Sequence, residues 1–383
     1  MGEELESPYS ALRATTPVAL MREHGTFFTS ASMAASLWQE ELHTLANGSV
    51  VVDPACGAGD LLLPVADYLS GQPHLKGSVE IRALDRDDHF VRVALSRLNA
   101  LSKSNDGMFN GQVSDLLRDQ RPLRDATHVV LNPPFVQMKP EHPVAWSGGK
   151  VNSAALFLEV VLRTVSPNTK VLAILPDVLR SGTRYAKWRA VVDSLAYTDE
   201  RMLFDQFDNE TDVHVFGLRL RKRPFERDGA TVADWTRDNG EWSDADPQNL
   251  LSSICTVRVG PVVPHRDPDT GDVRRFLTAR NLSSGIIETI RTSKRVEVGP
   301  MLLVSRTSRP GQLPRARTRV WLDPSPVAIE NHLIVVKPLH GLNASLEQLR
   351  EYLESSAVSR YFDHDIRCRH LTVSVMRNLR LDL

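Results

Sequence analysis

The first half of the chain alternates short apolar runs with helical periodicities. Residues from about 31 to 46 have helical spacing and stop at Asn47-Gly48. Ser49 to Val52 reads as a buried strand that runs into the turn Asp53-Pro54-Ala55-Cys56-Gly57-Ala58-Gly59. A helical pattern over Asp60 to about Leu69 follows, then a strand from Ile81 to Leu84 that ends at Asp85, and a helix over about 88 to 101. A third strand ends at Val113, just before Asp115. A fourth, His128 to Leu131, ends at Asn132. Ala154 to Val165 is helical, and Val171 to Leu175 is a fifth strand ending at Pro176. Strands alternating with helices predict an α/β architecture, a parallel sheet with helices on both faces. Leu203 to Arg221, with alternating Val213, Val215, Leu218 and Leu220, predicts a closing hairpin.

The pattern then turns polar from about Arg223 to Asn249, with Gly229, Gly240 and several acids, and reads as a linker. From Leu250 it becomes short and strand-like, rich in Arg, Pro and Gly, and ends in a helix near Leu346 to Val358. The expected organisation is a first domain over 1–228, a linker over 229–250 and a mostly β second domain over 251–383. No internal repeat or low-complexity tract is present.

A length of 383 residues accommodates two hydrophobic cores. No run of about 18 apolar residues exists, so no membrane span is expected. The start is acidic (Glu3, Glu4, Glu6) and lacks the apolar segment of a secretory signal. The three cysteines, Cys56, Cys255 and Cys368, lie far apart and give neither a zinc spacing nor a disulfide framework. No metal is expected, and a reducing cytoplasm fits. The net charge of −1 argues against a generic nucleic-acid binder. Its distribution says more: Arg274 to Arg319 holds eleven Lys/Arg against two Glu. That asymmetry suits a surface that meets a polyanion on one side, with a solvated basic loop as the plain alternative.

In a doubly wound sheet ligands sit beyond the carboxyl ends of the strands. Asp53, Asp85, Asp115 and Asn132 fall at such ends. Gly57 and Gly59, with small Ala55 and Cys56 beside them, let the backbone approach a nucleoside. Asp85 can accept hydrogen bonds from ribose hydroxyls, and Asp115 can meet an adenine amine. A dinucleotide-binding fold is the rival reading. Its fingerprint needs a third glycine where Leu62 stands, and Asp60 at the helix start would repel a pyrophosphate. A sulfonium nucleoside with an amino-acid tail carries a positive centre and suits carboxylates.

Asn132-Pro133-Pro134-Phe135 is the sharpest motif in the chain. The prolines lack amide donors and fix φ at about −65°. The turn is expected to aim unpaired carbonyls into the cleft. The Asn132 side-chain oxygen and the Pro133 carbonyl can then accept both hydrogens of a planar NH2 group, and Phe135 offers a stacking face. An adenine N6 lone pair is delocalised into the ring. Two acceptors on its hydrogens draw the nitrogen toward tetrahedral geometry and stabilise the charge that develops when it attacks a methyl group.

With these residues in view, the chain resembles the γ-class N6-adenine DNA methyltransferases, most closely the TaqI-like type. The resemblance rests on Gly25-Thr26-Phe27-Phe28-Thr29, the turn from Asp53 to Gly59, Asp85, Asp115 and Asn132 to Phe135, in that order. It implies a Rossmann-like S-adenosylmethionine-dependent methyltransferase domain followed by a mostly β target recognition domain. It implies that Thr29 holds the methionine end of the cofactor, Asp85 the ribose and Asp115 the adenine. Ser30 stands where the family often has Pro, and Phe135 where many members have Tyr. Phe276-Leu277-Thr278-Ala279-Arg280-Asn281-Leu282, with Gly285 after it, and Arg369-His370-Leu371-Thr372 are similar to the start and end of the TaqI-like recognition domain. A second aromatic that stacks on the flipped base is expected just before the closing hairpin, with Phe207 the nearest candidate and Phe204 the alternative.

The resulting expectation is a site-specific adenine N6 methyltransferase that uses S-adenosylmethionine on double-stranded DNA. It would act as a monomer in the cytoplasm at the nucleoid, with a cognate restriction endonuclease as companion. The DNA-contacting candidates are Arg274, Arg275, Arg280, Arg306, Arg309, Arg315, Arg317 and Arg319. The alternative is a methyltransferase of RNA or protein glutamine, which uses the same Asn-Pro-Pro-aromatic motif. A non-catalytic specificity protein fits poorly with that intact motif. A fused nuclease is not expected, because Pro176-Asp177 lacks a following acid-x-Lys pair.

Overall fold

The computed structural model describes residues 29–75, 77–101, 108–206, 213–227, 235, 249–284, 286–339 and 345–381. The chain divides into two compact units: 1–180 with 184–234, and 181–183 with 235–383. Most of the expected linker, 229–250, lies outside the described residues, as do Gly25 to Phe28, Phe207 and Gly285.

The first unit is built on a seven-stranded sheet. Its strands are β1 (Val50–Asp53), β2 (Glu80–Asp85), β3 (Met108–Val113), β4 (His128–Leu131), β5 (Lys170–Pro176), β6 (Ala196–Gln206) and β7 (His214–Lys222). The order is β3-β2-β1-β4-β5-β7-β6. The first five run parallel, and β7 is antiparallel to both β5 and β6. This is a Rossmann-like α/β sheet with an antiparallel closing hairpin, as expected. Strands β1, β4 and β5 are apolar almost throughout because they are buried on both faces. The chain winds outward from β1 to β2 and β3, then returns to place β4 on the other side of β1, with Val52 opposite Val129. The ends of β1 and β4 therefore flank the switch point, where an open α/β sheet leaves a crevice.

The helices of this unit are α1 (Ala31–Trp38), α2 (Leu63–Ser70), α3 (Asp88–Leu101), α4 (Ser153–Thr164) and α5 (Ala186–Leu195). The first is shorter than its periodicity suggests. The Thr44 hydroxyl donates to the Glu41 carbonyl at 2.7 Å, and only a single 3-10 turn, Leu42–Thr44, continues beyond Trp38. Likewise α2 begins at Leu63 rather than Asp60, because the glycine turn bonds forward onto Leu62 and Leu63 through the Gly59 carbonyl. Helix α5 and the one-turn helix Asp177–Ser181 are additions to the expected elements.

The second unit has a four-stranded antiparallel sheet and a three-stranded sheet. Its strands are β8 (Cys255–Val259), β9 (Asp272–Leu277), β10 (Glu288–Thr292), β11 (Met301–Ser305), β12 (Thr318–Trp321), β13 (Val327–Ile329) and β14 (Leu333–Pro338). The orders are β8-β14-β11-β12 and β10-β9-β13. Alternation on β11 shows how the core is divided. Leu302 and Val304 join a cluster with the helical residues Leu349, Leu353, Val358 and Phe362, whereas Met301 and Leu303 join one with Leu277, Val327 and Ile329. The single C-terminal helix expected over Leu346 to Val358 is instead two, α6 (Leu346–Leu353) and α7 (Ser356–Asp365), followed by α8 (Val373–Arg377). The Ser355 side chain accepts the Val358 N–H and caps a new helix there. Among the described residues no helix is long and apolar enough to cross a membrane.

Candidate active site

A cavity of about 360 Å³ opens at the carboxyl ends of β1 to β4, within the size range of small-ligand sites. Its lining brings together Thr29, Asp53, Ala55, Cys56, Gly57, Asp85, Asp115, Asn132 and Pro134. These residues are scattered over about a hundred positions, and the sheet order gathers them.

The glycine turn is shaped by two different demands. Gly57 has φ +49°, a left-handed conformation, and a side chain there would meet nothing within 4 Å. Gly59 has φ +84°, and an added Cβ would lie 3.0 Å from the Ala94 Cβ on α3. Gly59 therefore serves helix packing and does not line the cavity, which corrects its expected place against the nucleoside. The turn is pinned to β2 by the Cys56 N–H on the Leu84 carbonyl at 2.8 Å. It is pinned again by the Gly57 N–H on Asp85 Oδ2 at 3.0 Å. Asp85 Oδ1 accepts the Asp87 N–H at 3.0 Å. Each Asp85 oxygen so keeps a lone pair for a hydroxyl.

Three of the carboxylates at this end of the sheet are shifted by their surroundings. Burial pushes the Asp53 carboxyl well above the usual range; Asp85 and Asp60 push it the same way, against the Ala55 N–H that it accepts at 3.0 Å. Burial also raises Asp85, opposed by the Asp87 and Gly57 N–H groups. Asp60 is raised by burial, opposed by Arg97, which it meets at 2.7 Å, and by the Thr29 N–H. The Cys56 thiol is pushed up by burial and by Asp53 and Asp85, so it stays protonated and does not serve as a nucleophile. Such a site disfavours a pyrophosphate and suits a ligand with a cationic centre, which fits S-adenosylmethionine. Asp115 keeps its side chain partly exposed and accepts the Leu117 N–H at 3.0 Å.

The Asn-Pro-Pro-Phe turn leaves β4 directly. Asn132 Nδ2 donates to Thr29 Oγ1 at 3.0 Å. Pro133 is buried. The Pro134 carbonyl is not unpaired as expected: the Ser153 hydroxyl donates to it, and Ser153 Oγ also accepts the Val136 N–H at 3.1 Å. Ser153 opens α4, so that helix braces the turn. Phe135 is half-buried against the apolar core and is not part of the cavity wall. Phe204, the alternative to Phe207, packs closely over Gly217 of β7, where an added Cβ would lie 2.7 Å from its ring. That is a core role. Phe90, Leu117 and Ser153 also line the cavity and were not singled out by motif. Phe90 follows Asp85 by five residues, which is the one cue to it in the sequence. Asp177 is 1% exposed and paired with Arg180 at 2.7 Å, which removes it as a nuclease ligand.

The basic residues of the second unit differ in their availability. Arg315 is fully buried. It bonds to Asp363 at 2.6 Å, to Ser308 and to the carbonyls of Ile366 and Cys368. This corrects its place among the DNA-contacting candidates: it is a core tie. Arg274 pairs with Asp272, and Arg275 with Asp323 at 2.7 Å. Arg306 donates to the backbone carbonyls of Leu371 and Asn331, and Arg319 to that of Leu282. Arg280, Arg309 and Arg317 are exposed.

Residues 12–186 match the family model described as N-6 DNA methylase. Among solved structures the type I restriction enzyme EcoKI M protein is 17% identical with a TM-score of 0.44, over 57% of this chain and 48% of that one. The type I restriction-modification system methyltransferase subunit from Streptococcus thermophilus is 17% identical with a TM-score of 0.38, over 53% and 47%. The type IIG restriction endonuclease BpuSI is 14% identical with a TM-score of 0.49, over 94% and 60%. The chain thus spans about half the length of the modification subunits it matches. No curated protein sequence matches it. The match to the N-6 DNA methylase model covers somewhat less than half of the chain and falls within its first 186 residues.

Proposed function

We propose that this protein transfers a methyl group from S-adenosylmethionine to N6 of an adenine in double-stranded DNA, with the adenine turned out of the duplex. One observation carries the reading: Asn132 and Pro134 share a single cavity with the strand-end acids Asp53, Asp85 and Asp115. The cofactor, when bound, supplies an electrophilic methyl group on a sulfonium. Asp85 holds the ribose through the lone pairs left by its two backbone partners, Asp115 the cofactor adenine, and the buried carboxylates favour the positive centre. Asn132 Oδ1 and the Pro133 carbonyl accept the two hydrogens of the target amine, and Phe135 stacks on the base. The acceptors stabilise positive charge that develops on the nitrogen. The surplus proton then leaves without a strong base. Arg280, Arg306, Arg309 and Arg317 meet DNA phosphates in this reading. The enzyme acts as a monomer on cytoplasmic, nucleoid DNA beside a cognate restriction endonuclease.

Asn132→Ala tests it. Cofactor affinity in a calorimeter should be nearly unchanged, while the single-turnover rate falls about a hundredfold or more. A wild-type rate sinks the role of Asn132. Offering labelled donor with duplex DNA, structured RNA and glutamine peptides separates the substrate classes, and label that enters only RNA or peptide overturns the DNA reading.

A further inference from the structure

Asparagine carries an acceptor and a donor on one planar group, nearly equal in size and opposite in sense. If Asn132 is to accept a hydrogen from the target amine, its oxygen must face that amine. The flipped orientation would set its N–H donors against the donors of the substrate. Something must therefore hold the nitrogen end, and that end donates to Thr29 Oγ1 at 3.0 Å.

Thr29 is itself held. It is 5% exposed, and its backbone N–H donates to the Asp60 carboxylate. Asp60 is gripped by Arg97 at 2.7 Å, and both side chains are largely buried. The same Arg97 nitrogen donates to the Ala58 carbonyl at 2.5 Å. Helix α3, the glycine turn, Thr29 and the Asn132 amide so form one continuous chain of polar contacts. We propose that Thr29 is a positioning residue that anchors the Asn132 amide at its nitrogen end, and that the Asp60–Arg97 ion pair fixes Thr29. The inference rests on the acceptor role of Asn132 argued above. It gives Thr29 a task in the chemical step, beyond any contact with the methionine end of the cofactor, and gives Asp60 and Arg97 a task that no motif assigns.

The test is a double-mutant cycle on the full chain. Thr29→Val keeps shape and loses the acceptor, and Thr29→Ser keeps the hydroxyl. At saturating cofactor Thr29→Val should lower the single-turnover rate by about ten- to a hundredfold, somewhat less than the loss of a direct transition-state contact, and any change in the cofactor dissociation constant reports the separate contact with the methionine end. Thr29→Ser should restore most of the rate. On an Asn132→Ala background Thr29→Val should cost little more, because the two act as one unit. Arg97→Gln, as a second and more remote variant, should show the same pattern with a smaller loss. Fully additive losses in the cycle overturn the proposal. So does a Thr29→Val enzyme that binds cofactor poorly yet turns over normally at saturation. Either result leaves the proposed function standing, whereas a wild-type rate for Asn132→Ala alone removes that function first.

Discussion

At the scale of single residues the site is under electrostatic load. Asp53 is 1% exposed, and its carboxyl is raised by burial and by two neighbouring acids. The folded protein therefore holds this proton to higher pH than the unfolded chain does. The stability from Asp53 is greatest below the ordinary carboxylate range and is lost as pH rises through the raised value. Wherever the folded carboxyl is ionised, the buried charge is a net cost, kept for a cationic ligand. Asp53→Asn keeps an oxygen for the Ala55 N–H and removes the charge. Above the raised value its melting temperature should exceed wild type, by roughly 2–4 °C per kcal/mol relieved for a unit of this size. The gap should close as pH falls below the raised value, and cofactor affinity should fall. A variant that melts at or below wild type throughout the alkaline range shows that the carboxylate is not under load. Asp85→Ala should weaken S-adenosylmethionine binding and leave NAD unbound. Because Asp85 also fastens the Gly57 N–H, part of that loss comes from the turn, and tight NAD binding in a calorimeter would overturn the assignment of the cavity.

Among the elements, β4 joins stability to the site. Asn132 follows its last residue, and His128 opens it. The His128 ring lies between the hydroxyls of Thr44 and Thr127, each at 2.8 Å, and burial together with Lys170 lowers its pKa to about 4. A histidine depressed in the fold contributes stability above its ordinary value of about 6.5, lost as pH falls toward 4. His128→Gln should flatten the stability curve in that window by up to one proton, about 1.4 kcal/mol per pH unit. A variant with the wild-type slope there would mean that another group drives acid unfolding. The same strand shows why the first unit was legible in sequence. His128 to Leu131 is buried end to end, and its neighbours β1 and β5 almost so; polar residues at their ends stand out against that background. Helix α5 was not legible. Its buried Trp188, Val192 and Leu195 have helical spacing, but buried Arg189 breaks the apolar face. The acceptor turn at Asn132 was readable as a motif, yet the Ser153 brace and the Thr29 contact come from partners 19 and 103 residues away. The pairing of β9 with β13 likewise joins strands some 50 residues apart, a partnership that local pattern does not specify.

For the whole molecule the proposed function turns on how much of the basic excess is available to DNA. Arg274 and Arg275 are matched by Asp272 and Asp323, and Arg315 is enclosed. Replacing Arg280, Arg309 and Arg317 together by Gln should weaken DNA binding. The slope of log affinity against log salt should flatten by about 0.9 for each phosphate contact removed. Arg315→Gln should instead lower stability, by about 3–5 kcal/mol as for a broken buried pair. If Arg315→Gln folds as well as wild type and binds DNA less, its assignment to the core is wrong. Phe135→Ala should spare DNA affinity and slow methylation. With 2-aminopurine at the target position, emission should rise as the base leaves the stack. Normal methylation with quenched emission would exclude flipping.

The two glycines of the cofactor turn have different futures under mutation. Gly57 has a left-handed backbone that Asn also visits, but it lines the cavity, so a side chain there would enter the space a ligand needs. Gly59 answers to its backbone and to Ala94 at once, so shrinking Ala94 to glycine would lift only one of two bars. The first glycine is thus held from the ligand side and the second from the helix side. A search pattern for kin can therefore demand both glycines, together with a small residue at position 94.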